Sequence, residues 1–142
     1  MIAADTRGVV FVVDASAQEW SDTAEYLYGV LLRLQLLQDA PGNKREVIPV
    51  LVACNKSDLF TALPAGRIRS VLEGEVEKVR EGRSKGIVGV GEEEEEVEVL
   101  GGVGRFTFES LEELGVKVVF KGASTSKDGW RVPLGEWVGE SL

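Results

Sequence analysis

The sequence predicts an α/β fold, in which helices cover a mainly parallel sheet. Residues 8–14 and 47–53 are apolar runs rich in β-branched side chains, which is typical of strands buried on both faces of a parallel sheet. Each run is followed by a segment with helical apolar spacing. Strands and helices that alternate in this way favour right-handed β-α-β connections.

The first predicted helix covers residues 22–38 and ends before the Pro41-Gly42-Asn43 sequence, which cannot continue it. Its apolar positions form one face: Leu27, Val30, Leu31, Leu34 and Leu37. Pro64 is a favourable start for a second helix, which is predicted to extend to about Arg83. Its apolar face consists of Ile68, Val71, Leu72, Val76 and Val79.

Residues 84–104 differ from the rest of the chain because they are rich in glycine and contain the run Glu92 to Glu96. Adjacent carboxylates repel one another, so a solvated loop is favoured there over a metal site. The sequence therefore predicts one domain over residues 1–142, with a mobile surface insertion at about 84–104.

Three short elements are predicted after the insertion. Residues 105–109 alternate between polar and apolar side chains, which indicates a short strand, and residues 116–121 indicate another. Residues 132–138 are predicted to form a short amphipathic helix that carries Trp137. The predicted order is β-α-β-α, insertion, β-β-α.

Composition excludes several classes of function. The net charge of −8 argues against non-specific nucleic-acid binding, which needs a basic surface. The chain has no histidine, so it has no histidine general base and no Ser-His-Asp triad. Its one cysteine, Cys54, excludes an internal disulfide and is predicted to be a small buried core residue.

A polar tetrapeptide, Asn55-Lys56-Ser57-Asp58, follows the second apolar run directly. In a parallel α/β sheet, ligands bind beyond the carboxyl ends of the strands. The Asp58 carboxylate can accept two hydrogen bonds from the ring N–H and amino group of guanine, a pair that adenine does not present. Asn55 can join the loop to the base edge, and the Lys56 stem can lie along the base. The pattern predicts guanine recognition.

A second turn of small residues, Gly122-Ala123-Ser124, follows a later predicted strand. A backbone N–H of this turn can donate to the guanine O6 acceptor. Asp58 and the turn would then bind groups of opposite polarity on one base edge. A polar turn that merely ends a strand remains the alternative interpretation of the Asn-Lys-Ser-Asp sequence.

The sequence lacks the parts that hold phosphate. It has no Gly-x-x-x-x-Gly-Lys-Ser/Thr motif, so no loop of backbone N–H groups cradles phosphates. Asp5-Thr6-Arg7-Gly8 has the letters of the Asp-x-x-Gly motif, but it leads into a strand, whereas that motif follows one. Phosphoryl transfer needs phosphate and metal contacts, so we expect that this chain alone does not hydrolyse GTP.

The chain resembles a known family. Val9-Val-Phe-Val-Val-Asp-Ala-Ser16, Ala24-Glu-Tyr-Leu-Tyr-Gly-Val-Leu31 and Asn55-Lys-Ser-Asp58 follow one another as in small Ras/Arf-like GTPases. The second helix, with Ile68-Arg-Ser-Val-Leu-Glu, and the later Phe106-Thr-Phe-Glu-Ser-Leu111 resemble the beta subunit of the signal recognition particle receptor. The resemblance implies a partial P-loop GTPase fold, Rossmann-like and three-layered, without the N-terminal phosphate-loop half.

The resemblance also implies a function. Asn55, Lys56 and Asp58 would bind the guanine of GTP or GDP, with Ala123 and Ser124 as the second base-reading loop. Mg²⁺ would be bound through the missing half. The family pairs with a receptor alpha subunit and is held by an N-terminal anchor at the cytosolic face of the endoplasmic reticulum membrane, where it acts in co-translational protein targeting. No direct nucleic-acid binding is expected.

Two alternatives remain at this point: another Arf- or Rab-like GTPase fragment, and an interaction module that has kept the α/β shell without binding a nucleotide. In the family's fold, the strand at residues 9–13 pairs with the phosphate-loop strand. Without that strand its edge would be bare and apolar, which is an aggregation hazard. We therefore expect the chain to be a fragment of a longer domain.

Overall fold

A computed structural model describes residues 7–40, 47–56, 61–88, 100–102, 104–122 and 131–141. In chain order the elements are β1 (Val9–Asp14), α1 (Ser21–Asp39), β2 (Ile48–Asn55), α2 (Ala65–Val88), α3 (Phe108–Glu113), β3 (Val116–Gly122) and α4 (Arg131–Ser141). The predicted α/β class is confirmed.

The three strands form one parallel sheet in the order β1-β2-β3. The central strand β2 is buried along almost its whole length, which explains its continuous apolar sequence. In the register, Asp14 lies opposite Asn55, and Cys54 lies opposite Gly122. The carboxyl ends of all three strands therefore meet at one edge of the sheet.

One face of the sheet packs against α1, α2 and α3. The predicted apolar faces of both long helices are confirmed, because their central side chains are fully buried: Leu27, Leu31, Leu34, Ile68, Leu72 and Val76. Burying each such side chain contributes roughly 1.5–3 kcal/mol, so these two helices supply much of the energy that holds the sheet. Cys54 is fully buried in the same core, as predicted.

The other face of the sheet is covered by α4. Trp137 of α4 is 3% exposed and packs against Leu51 and Ala53 of β2. Helices therefore lie on both sides of the sheet, which gives the three layers that the resemblance implies. The helix is longer than the predicted 132–138.

The strand predicted at residues 105–109 is wrong. Phe106 and Phe108 alternate with polar residues, but the chain turns into α3 at Phe108. The Thr107 hydroxyl accepts a hydrogen bond from the Ser110 N–H at 3.1 Å, and this cap starts a helix at that residue. Both phenylalanines are buried, with ring centroids 5.3 Å apart.

Three predicted boundaries also shift. Helix α2 continues to Val88, beyond the predicted end at Arg83, and β2 continues through Asn55 instead of ending at residue 53. Leu100, which was assigned to the insertion, is fully buried. Residues 89–99, including Glu92 to Glu96, lie outside the described residues, as does the Pro41-Gly42-Asn43 terminator.

Candidate functional site

The candidate site lies at the carboxyl edge of the sheet, where Asn55 is the last residue of β2. Lys56 follows it with φ 61°, a left-handed backbone conformation that is uncommon for a residue with a side chain. Such conformations persist where the surrounding structure enforces them, often at ligand sites. Asp58, Ala123 and Ser124 lie outside the described residues, so their roles stay predictions.

The Asn55 side chain has a buried oxygen with unsatisfied hydrogen-bonding capacity. Its Oδ1 atom is buried and has no hydrogen-bond partner among the described residues. A buried acceptor without a donor is destabilising by about 1–3 kcal/mol, so such atoms are rare outside functional positions. The carbonyl of the same residue is satisfied by the Ala15 N–H at 2.9 Å. The side chain of Asn55 therefore lies at the strand end with an acceptor that the described residues leave unpaired.

Lys56 is joined to the neighbouring strand by an ion pair. Its Nζ donates to the Oδ2 atom of Asp14 at 3.0 Å. The Asp14 Oδ1 atom accepts from the Ser16 N–H at 2.9 Å and from the Ser16 hydroxyl at 2.6 Å. These hydrogen bonds from Ser16, with a smaller contribution from Lys56, lower the pKa of Asp14 to about 2. Asp14 is therefore ionised at neutral pH.

Sequence reasoning did not assign a role to Asp14 and Ser16. A signal was present, because Asp14 ends the first apolar run as Asn55 ends the second. Parallel strands place such residues at one edge. The contact also depends on the register that sets Asp14 opposite Asn55, and that register is set by pairing between distant strands.

Other features of the described structure are separate from Asn55 and Lys56 or are not binding groups. A cleft of about 720 Å³ lies beside the edge, lined among others by Ser16, Trp20 and Arg67, but its lining includes neither Asn55 nor Lys56. Burial raises the pKa of the Cys54 thiol to about 11, so this cysteine is a packing residue. Within the described ranges, no group of three or more acidic, cysteine or histidine side chains could hold a metal ion.

None of the described helices is long and apolar enough to cross a membrane.

The chain has a parallel sheet between two layers of helices, and its Asn-Lys-x-Asp sequence begins at the last residue of the central strand. This arrangement is typical of P-loop GTPases, and the chain contains part of that fold. The family model for the signal recognition particle receptor beta subunit matches residues 1–116 of the 142. The chain belongs to this family, and the predicted resemblance is confirmed.

Relatives agree with this assignment. The signal recognition particle receptor subunit beta of Saccharomyces cerevisiae is 33% identical over 147 aligned residues, which cover 96% of this chain and 55% of the yeast protein. The solved structure of the Chaetomium thermophilum receptor SRb with GDP and Mg is 36% identical, with a TM-score of 0.78. That match covers 96% of this chain and 64% of the solved one.

A third match is the Chaetomium thermophilum SRb-GTP/SRX complex, which is also 36% identical, with a TM-score of 0.78. It covers 96% of this chain and 50% of the solved chain. The present chain therefore spans between half and two thirds of the length of these three relatives.

Proposed function

We propose that this chain carries the guanine-recognition half of the receptor's beta subunit, and that its ligand is GTP or GDP. Asn55, Lys56 and Asp58 are the proposed base-binding residues. One observation carries the proposal: Asn55 ends the central strand with a buried side-chain oxygen that lacks a partner among the described residues. The residues present fit a guanine nucleotide, because the base offers its ring N–H and amino group to the Asp58 carboxylate, while Asn55 can join the loop to the base edge.

The second base-reading loop is proposed at Ala123 and Ser124. Its support is the register of the sheet. Gly122 ends β3 opposite Cys54, the residue before Asn55, so β3 ends beside the residue at which the Asn-Lys-x-Asp sequence begins. A backbone N–H there can donate to the guanine O6 atom, which distinguishes guanine from adenine.

The phosphate and Mg²⁺ contacts are proposed to come from the half of the domain that lies outside these 142 residues. The sequence contains no phosphate-loop motif. The Chaetomium thermophilum relative bound to GDP and Mg is longer than the present chain. We propose that the 142 residues do not hydrolyse GTP by themselves, because they lack the groups that stabilise charge on the transferred phosphoryl.

The biological role is proposed from family membership. We propose that the whole protein pairs with the receptor's alpha subunit at the cytosolic face of the endoplasmic reticulum membrane and acts in co-translational protein targeting. The relative solved as an SRb-GTP/SRX complex supports a partner that binds the nucleotide-loaded subunit. Of this proposal, the nucleotide contacts can be tested directly on the 142-residue chain.

Base preference can be measured without the phosphate half. The ¹⁵N-labelled chain is titrated with GMP, AMP and XMP, and amide chemical shifts are followed at Asn55 and Lys56. We expect GMP to bind in the millimolar range and AMP to bind more weakly, because AMP lacks the N1–H and amino pair. Equal shifts with GMP and AMP would contradict guanine recognition and leave the interaction-module interpretation.

The substitution Asp58→Asn sharpens this test. XMP carries a carbonyl where GMP carries the amino group, and an Asn side chain can donate to that carbonyl. We expect Asp58→Asn to weaken GMP binding by about tenfold and to strengthen XMP binding. Asp39→Asn is the matched control, since this exposed residue ends α1 at the opposite edge of the sheet. It should leave both affinities unchanged.

A further inference from the structure

The turn that follows β1 holds both ends of the loop that contains Asp58. The Ala15 N–H donates to the Asn55 carbonyl at 2.9 Å, where this loop begins. The Ala15 carbonyl accepts from the Leu63 N–H, also at 2.9 Å, where the loop returns. Ala15 is fully buried, so these bonds are shielded from water. The backbone of one residue thus sets the separation of the loop ends.

The side chains on either side of Ala15 are also fixed. Asp14 uses both carboxylate oxygens, one toward Ser16 and the other toward Lys56. The bonds from Ser16 hold the carboxylate in one orientation, and this orientation determines where the Lys56 ammonium lies. The left-handed backbone of Lys56, with φ 61°, is the second constraint on the direction of its stem.

The exposure of this ion pair indicates that it contributes little to stability. The Lys56 and Asp14 side chains are 48% and 44% exposed. Pairs this accessible to water contribute little to folding, because solvent screens the charges. What the pair does in this structure is join the ends of two neighbouring strands beside the proposed base site.

We propose that Asp14 is a positioning residue, which, with Ala15 and Ser16, holds Lys56 in the geometry that binds a guanine base. This inference rests on the proposed function. Asp14 does not itself contact the nucleotide. It acts through Lys56, whose alkyl stem lies along the flat face of the base when the ammonium is held by the Asp14 carboxylate.

The first test needs no ligand. ¹⁵N relaxation is measured at the Lys56 and Thr61 amides in the unsubstituted chain and in Asp14→Asn. We expect the substitution to raise the picosecond-to-nanosecond mobility of Lys56, because the amide of Asn binds an ammonium less strongly than a carboxylate does. Asp22→Asn, at an exposed position in the first turn of α1, is the control and should change neither amide. Unchanged relaxation at Lys56 in Asp14→Asn overturns the positioning role.

The second test is a double-mutant cycle read out by GMP affinity. We expect Asp14→Asn to weaken GMP binding about three- to tenfold while the unfolding midpoint stays nearly constant. Lys56→Met keeps the stem and removes the charge. In that background Asp14→Asn should have no further effect, since the two residues act as one unit.

The outcomes separate the two proposals. Additive effects in the cycle would show that Asp14 acts independently of Lys56, which overturns the inference while guanine binding stands. If the unsubstituted chain does not prefer GMP to AMP, the proposed function fails, and the role of Asp14 toward a nucleotide fails with it.

Discussion

Arg80 shows how one side chain joins distant parts of this molecule. Its guanidinium donates to the Leu100 carbonyl at 3.0 Å, to the Gly102 carbonyl at 3.4 Å and also to the Gly104 carbonyl. Its Nε lies 3.4 Å from Glu77, and the Arg80 side chain is only 13% exposed. The planar guanidinium suits this arrangement because it presents several donors in a fixed geometry. Arg80 therefore ties the chain after residue 99 to α2.

Replacing Arg80 should destabilise the fold. Arg80→Met keeps the apolar stem but leaves backbone carbonyls and Glu77 without their cation. We expect the free energy of unfolding to fall by about 2–4 kcal/mol in urea denaturation. Lys78→Met is the matched control on the same helix, because Lys78 is 73% exposed and forms a surface ion pair with Glu75. It should change stability by less than about 0.5 kcal/mol; an equal loss in both variants would refute the role of Arg80.

Helix α3 forms where the alternation of polar and apolar residues predicts a strand. Its start is a reciprocal cap in which the Thr107 hydroxyl accepts from the Ser110 N–H and the Ser110 hydroxyl accepts from the Thr107 N–H. The Phe106 and Phe108 N–H groups donate to Glu77 and Glu73 of α2, at 2.9 and 3.1 Å. The two acceptors lie 29 and 35 residues earlier in the chain. Because these N–H groups already donate to α2, they cannot pair with a neighbouring strand.

The contribution of the α3 cap to stability can be tested by removing the Thr107 hydroxyl. Thr107→Ala removes the hydroxyl acceptor, and we expect it to lower the free energy of unfolding by about 1 kcal/mol. Thr107→Ser keeps the hydroxyl and should be nearly neutral. Thermal or urea unfolding measures both variants. A loss of the same size in Thr107→Ser would assign the effect to the methyl group and not to the cap.

Strand β1 is an exposed edge strand of the sheet. In the described part of the chain it pairs with β2 on one side only. Val10 and Val12 are 42% and 55% exposed. They lie on the same face of the sheet as their β2 partners Leu51 and Ala53, which α4 covers. A groove of about 760 Å³ runs between β1 and α1, lined among others by Phe11 and Tyr26. Unpaired apolar edges of this kind promote association between chains.

We therefore expect the 142-residue chain to self-associate as its concentration rises. Val12→Lys places a charge on the exposed edge and should reduce this association, as measured by sedimentation velocity. Leu36→Lys is the control, because Leu36 is 40% exposed but lies on α1 away from a strand edge. A chain that stays monomeric at every concentration, with a sharp cooperative melt, would show that the β1 edge does not cause self-association.

Much of the fold was accessible from local patterns in the sequence. Apolar β-branched runs marked β1 and β2, helical spacing marked the buried faces of α1 and α2, and the Asn-Lys-x-Asp sequence marked the strand end that carries the candidate site. The strand and helix predictions succeeded because their periodicities are properties of neighbouring residues, and both long helices bury the side that their spacing indicates. The role of the Asn-Lys-x-Asp sequence stays a prediction.

The remaining features depend on residues that are far apart in the chain. The Asp14–Lys56 pair exists because parallel pairing sets Asp14 opposite Asn55. Residues 105–109 do not form a strand because carboxylates of α2 bind the N–H groups that a sheet would need. Periodicity records which side of an element is apolar, whereas the partner of each polar group is set when the elements pack together.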